Sequence, residues 1–286
     1  MDRFMDIAFR QKMKKELICF FLITYAFSWG IFGLSFLLGL DKTPFVIIGV
    51  WGPSIIGVLL TFVFYGGAGL KRFFARFSRF KQGALWILPL LLGFFIIGIS
   101  GRFLWSLMSD ADFLPGFYGF GWVATVIISQ FIIAGMGEEF GWRGFGLQRL
   151  QQLYSPLKAS LIIAFFHLFW HAPTYWLGQG MHNVPAIWAV LFLTPWTILF
   201  TWAYNKSGGS IMVSVLFHSM MGATLTFCAF LPSESVVPIT PDLITKLWIG
   251  DGIMGAYVMV VAIYWLLALI VIKNGFGKAP EFEHKL

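Results

Sequence analysis

An all-α, polytopic membrane fold follows from three features of this sequence. Of its 286 residues, 58% are hydrophobic and only 12% are charged, roughly half the charged share of an ordinary soluble domain. The apolar residues gather into runs close to the ~20 that a helix needs to cross the hydrocarbon core. Lysine and arginine alternate between connections, dense in every second one and sparse in the others, which is how membrane helices are oriented.

Eight segments qualify as spans: 17–40, 45–65, 84–108, 118–140, 157–177, 184–204, 210–230 and 252–272. The first follows a basic N-terminal stretch but is too long for the 7–15-residue apolar core of a signal peptide, so it is expected to be a retained helix. Short connections join the rest, and residues 1–286 are read as a single helical membrane domain. Arg3, Arg10, Lys12, Lys14 and Lys15 precede the first span, and Lys71, Arg72, Arg76, Arg79 and Lys81 follow the second. Arg149 with Lys158, then Lys206, then Lys273 with Lys278, continue the series. The alternate connections carry Asp41 and Lys42, Asp110 and Asp112, then Glu234, Asp242 and Lys246. Both termini are therefore expected on the cytoplasmic side.

The net charge of +7 sits in these connections, and no nucleic-acid-binding motif accompanies it; the implied partner is the lipid bilayer. The stretch "LKRFFARFSRFK" (70–81) interleaves cations with aromatics. It reads either as an interfacial helix on an anionic leaflet or as a loop that sets topology. Cys19 and Cys228 lie in apolar runs and read as small buried hydrophobes rather than a disulfide.

Chemistry is concentrated in three stretches. "GMGEEFGWRGF" supplies Glu138, Glu139 and Arg143; "AFFHLFWHAP" supplies His167 and His171; "VLFHSMMGA" supplies His218. His182 and His284 lie in a loop and in the tail. Ionisable groups in hydrocarbon are costly and mark functional interiors, although a buried charge network that only holds helices in register is the structural alternative. The groups share one depth only if the fourth helix runs from about residue 124 to about residue 150. Glu138 then lies ~18 Å in, with His171 at ~21 Å and His218 at ~12 Å, at 1.5 Å per residue. Glu139 and Arg143 are spaced i,i+4 and should pair, which leaves Glu138 to face a reacting centre.

A carboxylate and an imidazole can hold a water, take its proton and return it to a leaving amine, and a second imidazole can stabilise the oxyanion. Glu138, His171 and His218 fit those roles. His167 and His171, also i,i+4, can present two imidazoles to Zn²⁺. With Glu138 and His218 they make a ligand set, although this mechanism requires no metal.

"EEFGWRG" resembles the EExxxR motif of the type II CAAX prenyl endopeptidases and their bacteriocin-processing relatives, the Abi family. "HLFWHAP" resembles the family's FxxxH motif and "HSMMG" its HxxxN motif, in the family's order, over residues 118–230. The resemblance implies an eight-helix intramembrane peptidase whose cavity opens toward the cytosol. Glu138 and His171 would activate water, and His218 would stabilise the oxyanion. It also implies membrane-anchored or prenylated peptide substrates, or a non-catalytic immunity or scaffolding role, in a prokaryotic plasma membrane. Two positions depart from the pattern: His167 replaces the motif Phe, and Gly222 replaces the motif Asn. At the second, either a neighbour such as Ser219 or Thr224 substitutes, or catalysis is weak.

Overall fold

The computed structural model describes residues 2–77, 80–110, 120–176, 184–224, 244–248 and 251–280. They are helical almost throughout, and no β-strand occurs among them. The chain opens with α1 (Asp2–Leu38), α2 (Lys42–Val50), α3 (Gly52–Phe77) and α4 (Phe80–Ser106). A long composite helix follows: α5 (Phe120–Ser129), the π-helical segment π1 (Gln130–Met136), α6 (Gly137–Glu139), a second π segment π2 (Phe140–Leu147) and α7 (Gln148–Leu153). The remainder is α8 (Pro156–Trp170), α9 (Ala172–Trp176), α10 (Ala186–Lys206), α11 (Ile211–Thr224) and α12 (Asp251–Asn274).

The described residues of each of the eight expected spans lie almost wholly in helix. By length and composition, six stretches among the described residues can cross a membrane: Ile7–Leu38, Lys42–Phe77, Leu88–Ser106, Val123–Leu153, Ala186–Lys206 and Met254–Asn274. The other two segments give shorter helices, of 15 residues in α8 and 14 in α11. The end of the seventh expected span, with Cys228, lies outside the described residues, as do His182 and His284. Leu22, Leu37, Phe62, Leu85, Ile96, Phe165 and Leu266 point outward. In water such side chains would be a liability; in a bilayer they face lipid. The chain is a multi-pass membrane protein.

Local sequence explains the breaks. Gly66 takes φ 60°, a left-handed conformation that costs glycine little, and divides α3 into a spanning part and a basic–aromatic part. Tyr154 is extended, Ser155 caps α8 by accepting from the Lys158 amide at 3.4 Å, and Pro156 takes the first helical position. The chain therefore turns back, and α8 returns alongside π2. In α10, Pro195 cannot donate to the Leu191 carbonyl, and that carbonyl instead accepts from Trp265 Nε1 of α12 at 2.8 Å.

Two apolar clusters hold the bundle. One joins α1, α3, π2 and α8 through Phe20, Ile56, Phe73, Trp142, Phe145 and Trp170. The other joins α4, α10, α11 and α12 through Phe94, Phe192, Trp196, Phe217, Tyr257 and Tyr264. The composite helix reaches between them because it is narrow where it must be. A Cβ at Gly141 would occupy the Pro53 carbonyl of α3, and one at Gly57 would come within 2.9 Å of Gly141 Cα. Small residues at such crossings let membrane helices approach backbone to backbone.

Candidate active site

The long fourth helix required by the depth argument is present: Val123–Leu153 is continuous helix, with Glu138 and Glu139 near its middle. The sequence reading missed that π1 and π2 flank the two glutamates. A π turn widens the helix and re-aims side chains, and such insertions recur at functional sites. Here the only α-helical residues between the two π segments are Gly137, Glu138 and Glu139.

Glu139 and Arg143 pair as their spacing predicts, Oε1 to Nη1 at 2.9 Å, with both side chains wholly buried. The Arg143 guanidinium lies 3.6 Å from the Phe200 ring centroid and 5.2 Å from that of Trp196. Its Nε and Nη2 have no hydrogen-bond partner, so the ring faces supply part of what water would. Glu139 Oε1 also meets His218 Nδ1 at 2.7 Å. Glu139 is thus the hinge of a buried Arg–Glu–His chain that ties the composite helix to α11.

Glu138 belongs to a different group. Its Oε2 lies 2.7 Å from His167 Nε2, yet neither atom makes an aligned hydrogen bond and both are buried. The proximity is real, but the lone pair and the ring nitrogen do not point along the line between them. Glu138, His167 and His171 each offer an oxygen or nitrogen, and these atoms all lie within 4.8 Å of one another. A carboxylate and two imidazoles converging on one point, with two buried atoms unsatisfied, is a donor set that fits Zn²⁺. His218, included in the ligand set expected from sequence, is not one of these three; its Nδ1 lies 2.7 Å from Glu139 Oε1.

His167 both packs and contributes a polar atom. Its ring stacks on Trp142 at 5.0 Å and on His171 at 5.2 Å. His171 sits where α8 ends: it is the C-cap, and Ala172-Pro173 restarts the chain as α9. That places it at a helix tip and leaves it partly exposed, whereas Glu138 and His167 are 3% and 1% exposed. His171 is thus the one partly exposed member of the group.

Gly222 lies one turn beyond His218 on the same face of α11. The Gln130 carboxamide of π1 covers its Cα so closely that a Cβ there would collide with Gln130 Oε1. Neither substitute expected from sequence fits as well. Ser219 Oγ donates to the Val215 carbonyl at 2.6 Å, and Thr224 is buried without a partner, two positions past Gly222. Gln130 escaped the sequence reading, although it is the one carboxamide in the apolar run "VATVIISQFIIA", and that isolation was the available signal.

Fold and site together define a multi-pass helical membrane protein with a carboxylate–imidazole group buried at mid-helix depth. Residues 120–224, which contain every member of that group, match the family described as type II CAAX prenyl endopeptidase Rce1-like. CAAX prenyl protease 2 of Methanococcus maripaludis is 26% identical over 137 residues, which make up 46% of this chain and 50% of the relative. The resemblance carried by the three motifs is thus found again over this region, and the match spans half of the relative's length.

Proposed function

We propose that this chain is an intramembrane endopeptidase that hydrolyses peptide bonds of membrane-anchored substrates, prenylated C-terminal peptides among them. The observation that carries the reading is the convergence of Glu138 and His171 at a partly exposed helix tip inside an otherwise buried layer. Glu138 and His171 hold a water between them. Glu138 takes its proton as the oxygen attacks the carbonyl carbon, and it returns that proton to the amine as the C–N bond breaks. The oxyanion forms beside His218. His218 holds to the Glu139 carboxylate through Nδ1 and offers its Nε2 side to the oxyanion as the donor. Gln130, over Gly222, supplies a second donor from its carboxamide. Arg143 holds the Glu139 carboxylate in place at 2.9 Å, and so acts through it. A zinc-type ion fits Glu138, His167 and His171; when bound, it would acidify a coordinated water and polarise the carbonyl.

Gly222 favours a second reading, in which the same cavity binds a partner without cleaving it, as an immunity or scaffolding protein would. Add-back separates the two. Purified protein in vesicles is mixed with membrane proteins from source cells lacking it, and peptide termini are compared by mass spectrometry. Wild-type protein is expected to create new termini that neither Glu138→Gln nor His171→Ala creates. A mixture unchanged by wild-type protein sinks the peptidase reading and leaves partner binding.

A further inference from the structure

Glu138 and His171 share a local feature: each stands beside a junction where helical hydrogen bonding changes. At the first, an α-helix would send the Thr174 amide four residues back, to the Trp170 carbonyl. That amide instead bonds the His171 carbonyl at 3.0 Å, joined there by Thr174 Oγ1 at 2.7 Å. Pro173 has no amide hydrogen with which to continue α8, and the His171 amide bonds the Leu168 carbonyl, three residues back, at 3.1 Å. The Trp170 carbonyl, at the broken end of the helix, accepts from Trp29 Nε1 of α1 at 3.0 Å.

The second junction lies between π1 and α6, just ahead of Glu138. Its Met136 carbonyl accepts from Ser54 Oγ of α3 at 2.7 Å, and Ser54 is buried. The fit around this bond is close. A Cβ at Gly137 would come within 3.2 Å of Trp51 Cδ1, and one at Gly141 would occupy the Pro53 carbonyl. The start of α3 therefore grips the segment on which Glu138 rides.

Carbonyls inside a membrane must find donors within the protein. At a helix break such a bond also fixes the adjoining residue, which has no regular helix to place it. Both donors come from the N-terminal helices, outside the matched residues 120–224. We propose that Trp29 and Ser54 are positioning residues. Trp29 holds the helix tip that carries His171, Ser54 holds the π junction that carries Glu138, and together they set the spacing of the two groups. The consequence for turnover rests on the peptidase reading, since displacement of a reacting group by about 1 Å can cost about 10²-fold in rate. Tyr25 is an internal control: it lies one turn before Trp29 on α1 and donates to the Phe166 carbonyl, within α8 and away from its broken end. It joins the same two helices and touches neither junction.

The full-length chain, in detergent and with isotope-labelled histidine rings, is compared as wild type, Trp29→Phe, Ser54→Ala, Ser54→Thr and Tyr25→Phe. Ring signals in the nuclear magnetic resonance spectrum are assigned by the loss of one each in His167→Ala, His171→Ala and His218→Ala. Trp29→Phe keeps a ring against Tyr25 and Phe169 and removes the donor. It is expected to displace the His171 signal and leave that of His218 in place. Ser54→Ala is expected to displace the His167 signal, because Glu138 Oε2 lies 2.7 Å from His167 Nε2. Turnover of a substrate found by add-back should fall by about tenfold to a hundredfold in each, with KM nearly unchanged, and Ser54→Thr should recover most of it. Tyr25→Phe should lower the unfolding temperature about as much as Trp29→Phe and move neither signal. If wild-type protein cleaves nothing, the peptidase reading fails, while displaced signals still support the positioning. A His171 signal unmoved by Trp29→Phe, a His167 signal unmoved by Ser54→Ala, or equal displacement in Tyr25→Phe overturns the proposal.

Discussion

Arg143 and Arg149 lie on the same composite helix, both buried, and their surroundings use the charge in opposite ways. Around Arg143, charge closes on itself: Glu139 binds the guanidinium and His218, and aromatic faces seal the rest. Around Arg149, the Glu16 carboxylate binds the guanidinium and accepts from the Tyr65 hydroxyl, and Arg72, Arg76, Lys206 and Lys278 line a cavity beside it. The comparison teaches that a buried ion pair is not one kind of object. In the first region it sets the geometry of a neighbour, His218; in the second it forms part of a cavity wall that four further cations line.

The largest effect should come from the group that the Arg143 network leaves out. Glu138→Gln keeps the shape of the side chain and removes its basicity, so cleavage should fall by about 10³–10⁴-fold with little change in unfolding temperature. A variant that retains cleavage would transfer the proton chemistry elsewhere.

Next in size is the contrast between the two arginines. Arg143→Met breaks a wholly buried ion pair and leaves Glu139 with His218 as its remaining partner, and should cost about 3–5 kcal/mol. Arg149→Met leaves Glu16 with the Tyr65 hydroxyl and the cavity's other cations, so thermal unfolding in detergent should show a smaller loss. Equal losses would erase the distinction between the regions.

Gln130→Ala removes one oxyanion donor and should lower turnover by about 10²-fold with KM nearly unchanged. Adding Gly222→Asn to that variant restores a carboxamide over the same spot and should recover most of the rate. Adding Gly222→Ala restores only volume and should not. Recovery with alanine would mean that Gln130 is packing.

The smallest effect on cleavage is expected from His167→Phe, which restores the motif residue and keeps the stack on Trp142. Its signature lies elsewhere: zinc binding followed by calorimetry should be markedly weaker than in wild-type protein. Unchanged zinc affinity would remove His167 from the ligand set.

Much of the fold was legible because hydropathy is a direct record of what faces lipid: the described residues of the eight apolar segments are almost wholly helical, and six stretches among the described residues are long and apolar enough to span. The continuous fourth helix was legible too, since only that length lets Glu138 share a depth with the histidines. Spacing alone separated Glu139, paired with Arg143, from Glu138. The π segments were not legible, because they depend on how Gly141 and its neighbours meet α3. Arg76 and Arg149 were read as topology signals, yet both are buried in the cavity wall. A charge count reports the side of the membrane and not the depth, and the break at Gly66 that places Arg76 beside α10 is a tertiary event. His218 entered the expected ligand set because spacing along the chain does not give the distance between side chains of α8 and α11.

The central claim is that Glu138 makes this site hydrolytic. Its most direct test compares protein termini by mass spectrometry in membranes of source cells that carry wild-type protein or Glu138→Gln at equal abundance. The account predicts a set of termini present with wild-type protein, absent with the variant and restored when purified wild-type protein is added. Identical termini in both membranes, with the cells' phenotype intact in the variant, would contradict it.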